Sequence, residues 1–322
     1  MNDLVSIIIC SKDRRQDLER AVLSVRKSGP TCAPAEIVVV EETDRPEPIS
    51  GVRYLGIPRE HRGFGYARNR AVQAAHGTIL LFIDDDCEAK EGWGDALLAP
   101  FQDNHDVVGV AGSVAVRECG LIGYAENILG FPGGGLRYAH QAQGHTVPTQ
   151  HLSTCNCAYR KDALQRAGGF PEEARAGSED ALIAERVARL GQCCYTPHAV
   201  VYHRTRDQLS TVARWFMRRG YSEMASFQSR VGKSLFLTYV IRSSWTLRFG
   251  AVLLAAAWVP PVIAFVPLCF ALYYLGMLWR YRFARAYPTH RAAWWVVPVV
   301  KLTMDVGNEL GRWQYAMARQ TS

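Results

Sequence analysis

Short runs of β-branched and aliphatic residues alternate with stretches of helical periodicity over the first two thirds of the chain. Val5 to Ile9 reads as a buried strand. A helix follows with Leu18, Ala21, Val22 and Val25 on one face, stopped by Ser28-Gly29-Pro30. Glu36 to Val40 is a second strand ending in Glu41-Glu42, and Val52 to Leu55 a short third. Ala67 to Ala75 reads as a helix closed by His76-Gly77. The run Thr78 to Ile83 is a fourth strand that stops in three acids, Asp84-Asp85-Asp86. A helix near Trp93 to Phe101 and a strand near Val107 to Val110 continue the rhythm. Strands alternating with helices predict an α/β domain: a mostly parallel, Rossmann-like sheet with helices on both faces.

Residues 120 to 150 lose this pattern, and Phe131-Pro132-Gly133-Gly134-Gly135 reads as a flexible loop of the kind that forms a lid. Order returns with Ala158 to Arg166, and a helix is expected over Glu179 to Leu190, ended by Gly191. Beyond His203 the chain changes character. Phe249 to Trp279 is a run of 31 residues without a charge, broken by Pro260-Pro261 and flanked by Arg242, Arg248, Arg280, Arg282 and Arg285. Basic flanks at both ends favour a re-entrant or two-pass hairpin, or a seat in the membrane interface. The chain divides accordingly into 1–115, 116–222 and a membrane-associated helical region, 223–322.

The net charge is +7. Its Arg and Lys are dense from Arg204 onward, beside the apolar runs, which points to a membrane surface and away from nucleic acid. The nine cysteines lack paired CxxC spacing and read as reduced and packed rather than as a zinc site. Met1-Asn2-Asp3 runs directly into a strand, so the catalytic domain is expected on the cytoplasmic face of the membrane.

In parallel sheets ligands sit at the carboxyl ends of the strands. Ser11, Asp13, Glu41, Glu42 and Asp84 to Asp86 therefore fall on one rim. Side chains alternate along an extended chain, which points Asp84 and Asp86 the same way and Asp85 the other, toward an Arg or a ribose. Two convergent carboxylates suit a hard divalent cation. His203, after an apolar strand, is a candidate third metal ligand. In Gly63-Phe64-Gly65-Tyr66-Ala67-Arg68-Asn69, glycines that permit close backbone approach enter a helix, and Arg68 is placed to meet a diphosphate. Glu179-Asp180 begins a helix whose dipole favours ionised acids, which suits a general base.

The ordered segments VSIIICSKDR, VVVEETD, GYARNRA, LLFIDDD, NCAYRKDAL, SEDALIAERVARLG and VVYHR resemble the family 2 inverting nucleotide-sugar glycosyltransferases over residues 4 to 222. The resemblance implies an A-type glycosyltransferase fold. It also implies transfer from a nucleoside-diphosphate sugar donor to a saccharide or lipid-linked acceptor, with Mg2+ or Mn2+. On this reading Asp84 and Asp86 bind metal and Glu41 or Glu42 contacts the nucleotide. Asp180 is the base with Glu179 beside it, and Arg68-Asn69 matches the family's arginine-asparagine pair. Glu41-Glu42-Thr43-Asp44 departs from the commoner Asp-Asp-Gly-Ser, and Thr211-Val212-Ala213-Arg214-Trp215 lacks the Gln of processive members, so a single addition is expected. A catalytically silent nucleotide-sugar-binding membrane protein is the alternative.

Overall fold

The computed structural model describes residues 4–172, 178–231, 250–251, 254 and 265–318. The chain forms two compact units, Met1–Glu118 with Gly130–Thr205, and Cys119–Leu129 with Arg206–Ser322.

The first unit is built on one sheet. Its strands are β1 (Val5–Lys12), β2 (Ala35–Glu42), β3 (Arg53–Ile57), β4 (Ile79–Asp84), β5 (Cys87–Ala89), β6 (Val107–Ala115), β7 (Val147–Pro148), β8 (Asn156–Arg160) and β9 (Gln192–His203). They lie in the order β3-β2-β1-β4-β8-β6-β9-β5, with β7 beside β9. β1 to β4 pair in parallel, β6 and β9 run the same way, and β8, β5 and β7 run against them. Six of nine strands thus share a direction, the α/β sheet anticipated from the alternation.

The central strands β1 and β4 are buried on both faces, as continuous apolar runs require. In β1, Ile8 and Cys10 enter one core while Val5, Ile7 and Ile9 enter the other. Leu80 and Phe82 of β4 divide from Ile79, Leu81 and Ile83 in the same way. Helices α1 (Arg15–Ser28) and α3 (Trp93–Asp103) cover the second face through Leu18, Val22, Val25, Trp93 and Leu97. Helix α2 (Phe64–Ala74) covers the first through Ala67, Ala71 and Val72. Gly29 ends α1 as expected, its N–H bonded to Val25 O at 2.8 Å.

Several expectations need correction. Residues 120 to 150 are not a single loop but hold α4 (Leu121–Ile128) and α5 (Gly135–Ala142). The glycine-rich turn before α5 is tightly packed: a Cβ on Gly133 would lie 2.5 Å from Val114 Cγ2 and 3.0 Å from Cys155 Sγ. Ala158 to Arg166 is the end of β8 followed by α6 (Lys161–Arg166). Helix α7 spans Glu179–Val187 and stops short of Leu190. Gly191 does not end it. It sits instead where a Cβ would press on Val108 and on Asp106 O.

In the second unit, α8 (Leu209–Val231) packs along α10 (Val297–Ala318), with α9 (Phe265–Arg280) before it. A Cβ on Gly220, Gly307 or Gly311 would collide with backbone atoms of the facing helix, so these glycines let the two backbones touch. Asp207 caps α4, accepting from Gly120 N at 2.8 Å and Gly123 N at 3.1 Å. Part of the expected hairpin over Phe249 to Trp279, including Pro260-Pro261, lies outside the described residues. Its described part, α9, is about 24 Å long, short of a roughly 30 Å hydrocarbon core. Among the described residues no helix is long and apolar enough to cross a membrane.

Candidate functional site

The acids gather where β4 stops. The last residue of β4 is Asp84, and the chain turns at Asp85-Asp86 before Cys87 opens β5. The period-two rule therefore ends at Asp84 and does not carry to Asp86. Cys87 pairs with His203, the last residue of β9, in an antiparallel ladder. That pairing brings Asp86 beside the imidazole, with His203 Nε2 3.3 Å from Asp86 Oδ1.

Asp86, Cys87 and His203 offer ligand atoms that all lie within 4.8 Å of one another. Burial holds the Cys87 thiol well above its ordinary value, which leaves Asp86 oxygen and His203 nitrogen as the donors that suit Mg2+ or Mn2+. His203 is 8% exposed, and its Nδ1 is buried without a hydrogen-bond partner among the described residues. The ring therefore turns Nε2, not Nδ1, to the carboxylate. Five carboxylates share this neighbourhood with Arg14 and Arg68, an excess of negative charge that a divalent cation would balance. The residues present fit such an ion.

Asp84 is not part of that ligand cluster. Its Oδ1 lies 3.3 Å from Arg68 Nη2. Arg68 also donates to Glu179 Oε1, and both members of that second pair are buried. Arg68 thus bridges the half-buried Asp84 and the buried Glu179. Burial, with the nearby charge of Asp86, pushes the Asp84 carboxyl up against the pull of Arg68. Burial likewise raises Glu179, again opposed by Arg68. This bridge ties the end of β4, through α2, to the start of α7.

Asp85 does find an Arg, but the same Arg serves Asp86. Arg14 Nη1 lies 3.2 Å from Asp85 Oδ1 and 2.8 Å from Asp86 Oδ2. Ser11 Oγ donates to Asp85 Oδ2 at 2.7 Å. Burial pushes Asp85 up to about 7 despite these two donors. The sequence reading missed Arg14, although it stands in the opening motif two residues after β1 ends at Lys12. Asp13 itself has a positive φ of 53°, is exposed, and pairs with Arg59.

Asp180 stands at the start of α7. Its Oδ2 lies 3.4 Å from Ser153 Oγ, and its Oδ1 accepts from Ala181 N at 2.7 Å. Asp180 is partly exposed whereas Glu179 is 6% exposed and paired, so the two neighbours differ in what they can reach. Asp180 adds to the negative field at Asp84, which places it in the same electrostatic neighbourhood. Ser153 carries no sequence signal, because its proximity arises from the fold of the segment leading into β8.

Glu41 and Glu42 leave the end of β2 on opposite faces. Glu41 accepts from Tyr54 Oη at 2.6 Å and lies 3.4 Å from Arg15. Glu42 accepts from Lys12 Nζ at 2.8 Å and from His61 N at 3.0 Å. Asn69 binds backbone. Its amide accepts from Phe170 N at 2.9 Å and donates to Phe170 O at 2.9 Å, clasping the turn before α7. Gly65 serves the same packing: a Cβ there would lie 2.6 Å from Pro171 O. A separate cavity of about 990 Å³, lined by Asn104, Tyr138, His151 and Gln192, lies at the starts of β6 and β9, away from the carboxylates.

Comparison with known proteins gives this rim a family. The chain is 32% identical over 120 residues to Glucosyl-dolichyl phosphate glucuronosyltransferase of Haloferax volcanii, covering 34% of this chain and 38% of that protein. It is 31% identical over 114 residues to Polypeptide N-acetylgalactosaminyltransferase 11 of Xenopus tropicalis, covering 31% of this chain and 19% of that protein. The chain thus matches well under half the length of either curated relative. Mannosyltransferase PcManGT from Pyrobaculum calidifontis, solved with GDP-Man and Mn2+, superposes with a TM-score of 0.61 at 19% identity. That match covers 96% of this chain and 87% of the other. GalNAc-T7, solved with UDP, GalNAc and Mn2+, gives 0.51 at 16% identity, over 72% of this chain and 52% of the other. At these identities the likeness carries the fold. Residues 6–168, half of the sequence, match the profile of Glycosyl transferase family 2, and the chain belongs to that family.

Proposed function

We propose that the protein is a metal-dependent inverting glycosyltransferase, moving a sugar from a nucleoside-diphosphate donor to a hydroxyl of a saccharide or lipid-linked acceptor. The observation that carries this reading is the meeting, on one sheet rim, of the Asp86–His203 donor pair with a partly exposed Asp180 at a helix start. Family membership supports the reaction class. The name of one curated relative, a glucosyl-dolichyl phosphate glucuronosyltransferase, supports a lipid-linked acceptor, while the other names a polypeptide. The basic, apolar C-terminal region supports work at the cytoplasmic membrane face, in cell-envelope or polysaccharide biosynthesis.

Asp86 and His203 would hold Mg2+ or Mn2+, which when bound would supply positive charge against the diphosphate leaving group. Ser11 and Arg14 fix Asp85, and Arg14 also orients Asp86. One of the two acids that end β2, Glu41 or Glu42, contacts the nucleoside. Asp180 takes the proton of the acceptor hydroxyl as its oxygen bonds to the anomeric carbon. The carbon–oxygen bond to the diphosphate breaks with its electrons, so one displacement inverts the centre. Ser153 and Ala181 N hold the Asp180 carboxylate in place. Glu179, buried on Arg68, positions α7 and does not exchange the proton.

A thermal-shift panel of UDP- and GDP-sugars, with and without Mn2+, tests this reading. A ligand that binds only the native state raises the melting temperature. One nucleotide class should do so, and only with the metal present. No shift for any donor would overturn the proposal.

A further inference from the structure

From Met224 to Met304 the sequence holds no Asp or Glu and nine Lys or Arg. Within this stretch α9 presents Leu268, Leu272, Leu275 and Trp279 to solvent, at 51%, 61%, 61% and 69% exposure. Their spacing of four, three and four residues puts them on one helical stripe. Amphipathic helices of soluble domains bury such a stripe, and among the described residues this one is open. The opposite face is fixed to the unit, with Tyr273 Oη donating to Pro298 O at 3.1 Å and Tyr274 Oη to Trp295 O at 2.7 Å.

The C-terminal end of α9 carries a built cationic pocket. Two 3-10 turns follow it, Arg282–Ala286 and Ala293–Val296. The second is locked to α9 by Trp294 Nε1, which donates to Leu278 O at 2.9 Å. Arg285, Arg291, Trp294 and Trp295 line a cavity of about 190 Å³ between these turns. The Arg285 guanidinium lies 5.2 Å from the Trp294 ring centre, and Arg282 stands 4.3 Å over Trp279. Both pocket arginines are exposed, as is Trp295 at 57%.

We infer that this pocket takes the phosphate of an anionic phospholipid headgroup, with α9 lying in the membrane interface and its open stripe against the acyl chains. Two guanidiniums converging on one cavity are the chemistry that recognises a phosphodiester. Tryptophans beside them mark the headgroup level of a bilayer. Charge selects the occupant: both charged residues lining the pocket are arginines, which favours an anionic leaflet. The adjacent apolar stripe distinguishes a lipid from a nucleic acid, which has no apolar surface to cover it. The inference rests on the membrane reading above and is independent of the transfer chemistry.

Flotation of the full chain with vesicles tests it. The lipids compared are phosphatidylcholine alone and phosphatidylcholine with phosphatidylglycerol. The protein should partition at least several-fold more strongly to the anionic vesicles. The double variant Arg285→Gln/Arg291→Gln should lose most of that preference while keeping its melting temperature. If the double variant melts lower, the single Arg291→Gln, at an exposed position, should give a partial loss. Unchanged preference in folded variants would overturn the pocket assignment, and equal binding to both vesicles would overturn the headgroup claim. Partition to neither would overturn the membrane reading as well. Displacement from anionic vesicles by an oligonucleotide in place of lipid would assign the surface to nucleic acid instead.

Discussion

The sheet rim of the first unit and the C-terminal stretch of the second are opposite electrical solutions. The rim collects Asp84, Asp85, Asp86, Glu179 and Asp180 around Arg14 and Arg68, and burial pushes three of these acids up. The stretch from Met224 to Met304 has cations and no acid. Like charge crowded in either place is unfavourable unless something of opposite sign arrives. A divalent cation answers the first, and an anionic surface the second. Within the rim the same contrast recurs at smaller scale. Asp84 and Glu179 are tied to one buried arginine, whereas Asp180 is partly exposed and Asp86 meets an imidazole.

The sharpest way to break this contrast is to remove a rim acid from the metal side. Asp86→Asn should lower Mn2+-dependent turnover by about two to four orders of magnitude, of the size seen when one essential catalytic interaction is lost. Its circular-dichroism melt should stay close to wild type. Turnover within a few-fold of wild type would remove Asp86 from the metal site.

Arg68 separates structural from chemical acids. Arg68→Leu leaves the buried Glu179 uncompensated, with the half-buried Asp84 beside it, and should cost about 3–5 kcal/mol of stability. Denaturant unfolding measures this. A loss below about 1 kcal/mol would mean that water already screens the pair.

The comparison can be sharpened at a carboxylate outside both regions. Burial works to raise the Asp95 pKa, but hydrogen bonds from Thr31 and Cys32 outweigh it and hold Asp95 at about 2, below its ordinary 3.8. The folded protein therefore binds fewer protons than the unfolded chain in that window. Its contribution is complete above pH 3.8 and is lost as pH falls toward 2. Asp95→Asn should show a shallower fall of melting temperature from pH 5 to 3 than wild type, a small effect at a partly exposed site.

The two cores were legible in the sequence because parallel strands buried on both faces are continuous apolar runs. β1, β2 and β4 follow from Val5 to Ile9, Glu36 to Val40 and Thr78 to Ile83 alone. The acids closing those runs located the rim. The insertion of β8 between β4 and β6 was not legible, because antiparallel pairing over dozens of residues leaves no local period. The same holds for β5, three residues long, whose pairing with β9 is what brings His203 to Asp86. Helices α4 and α5 are eight residues each among glycines, too short for a clear 3.6-residue stripe. Arg68 and Asn69 were noticed, but their partners Glu179 and Phe170 lie more than a hundred residues on, so their structural roles appeared only in the fold.

The central claim is that Asp180, not Glu179, receives the acceptor proton. It is tested most directly by measuring donor affinity and nucleoside-diphosphate release side by side in Asp180→Asn, with the donor and metal that stabilise wild type. The account predicts donor affinity within about twofold of wild type and turnover lower by about 10²–10⁴-fold. Turnover within tenfold of wild type, with the donor still bound, would contradict it.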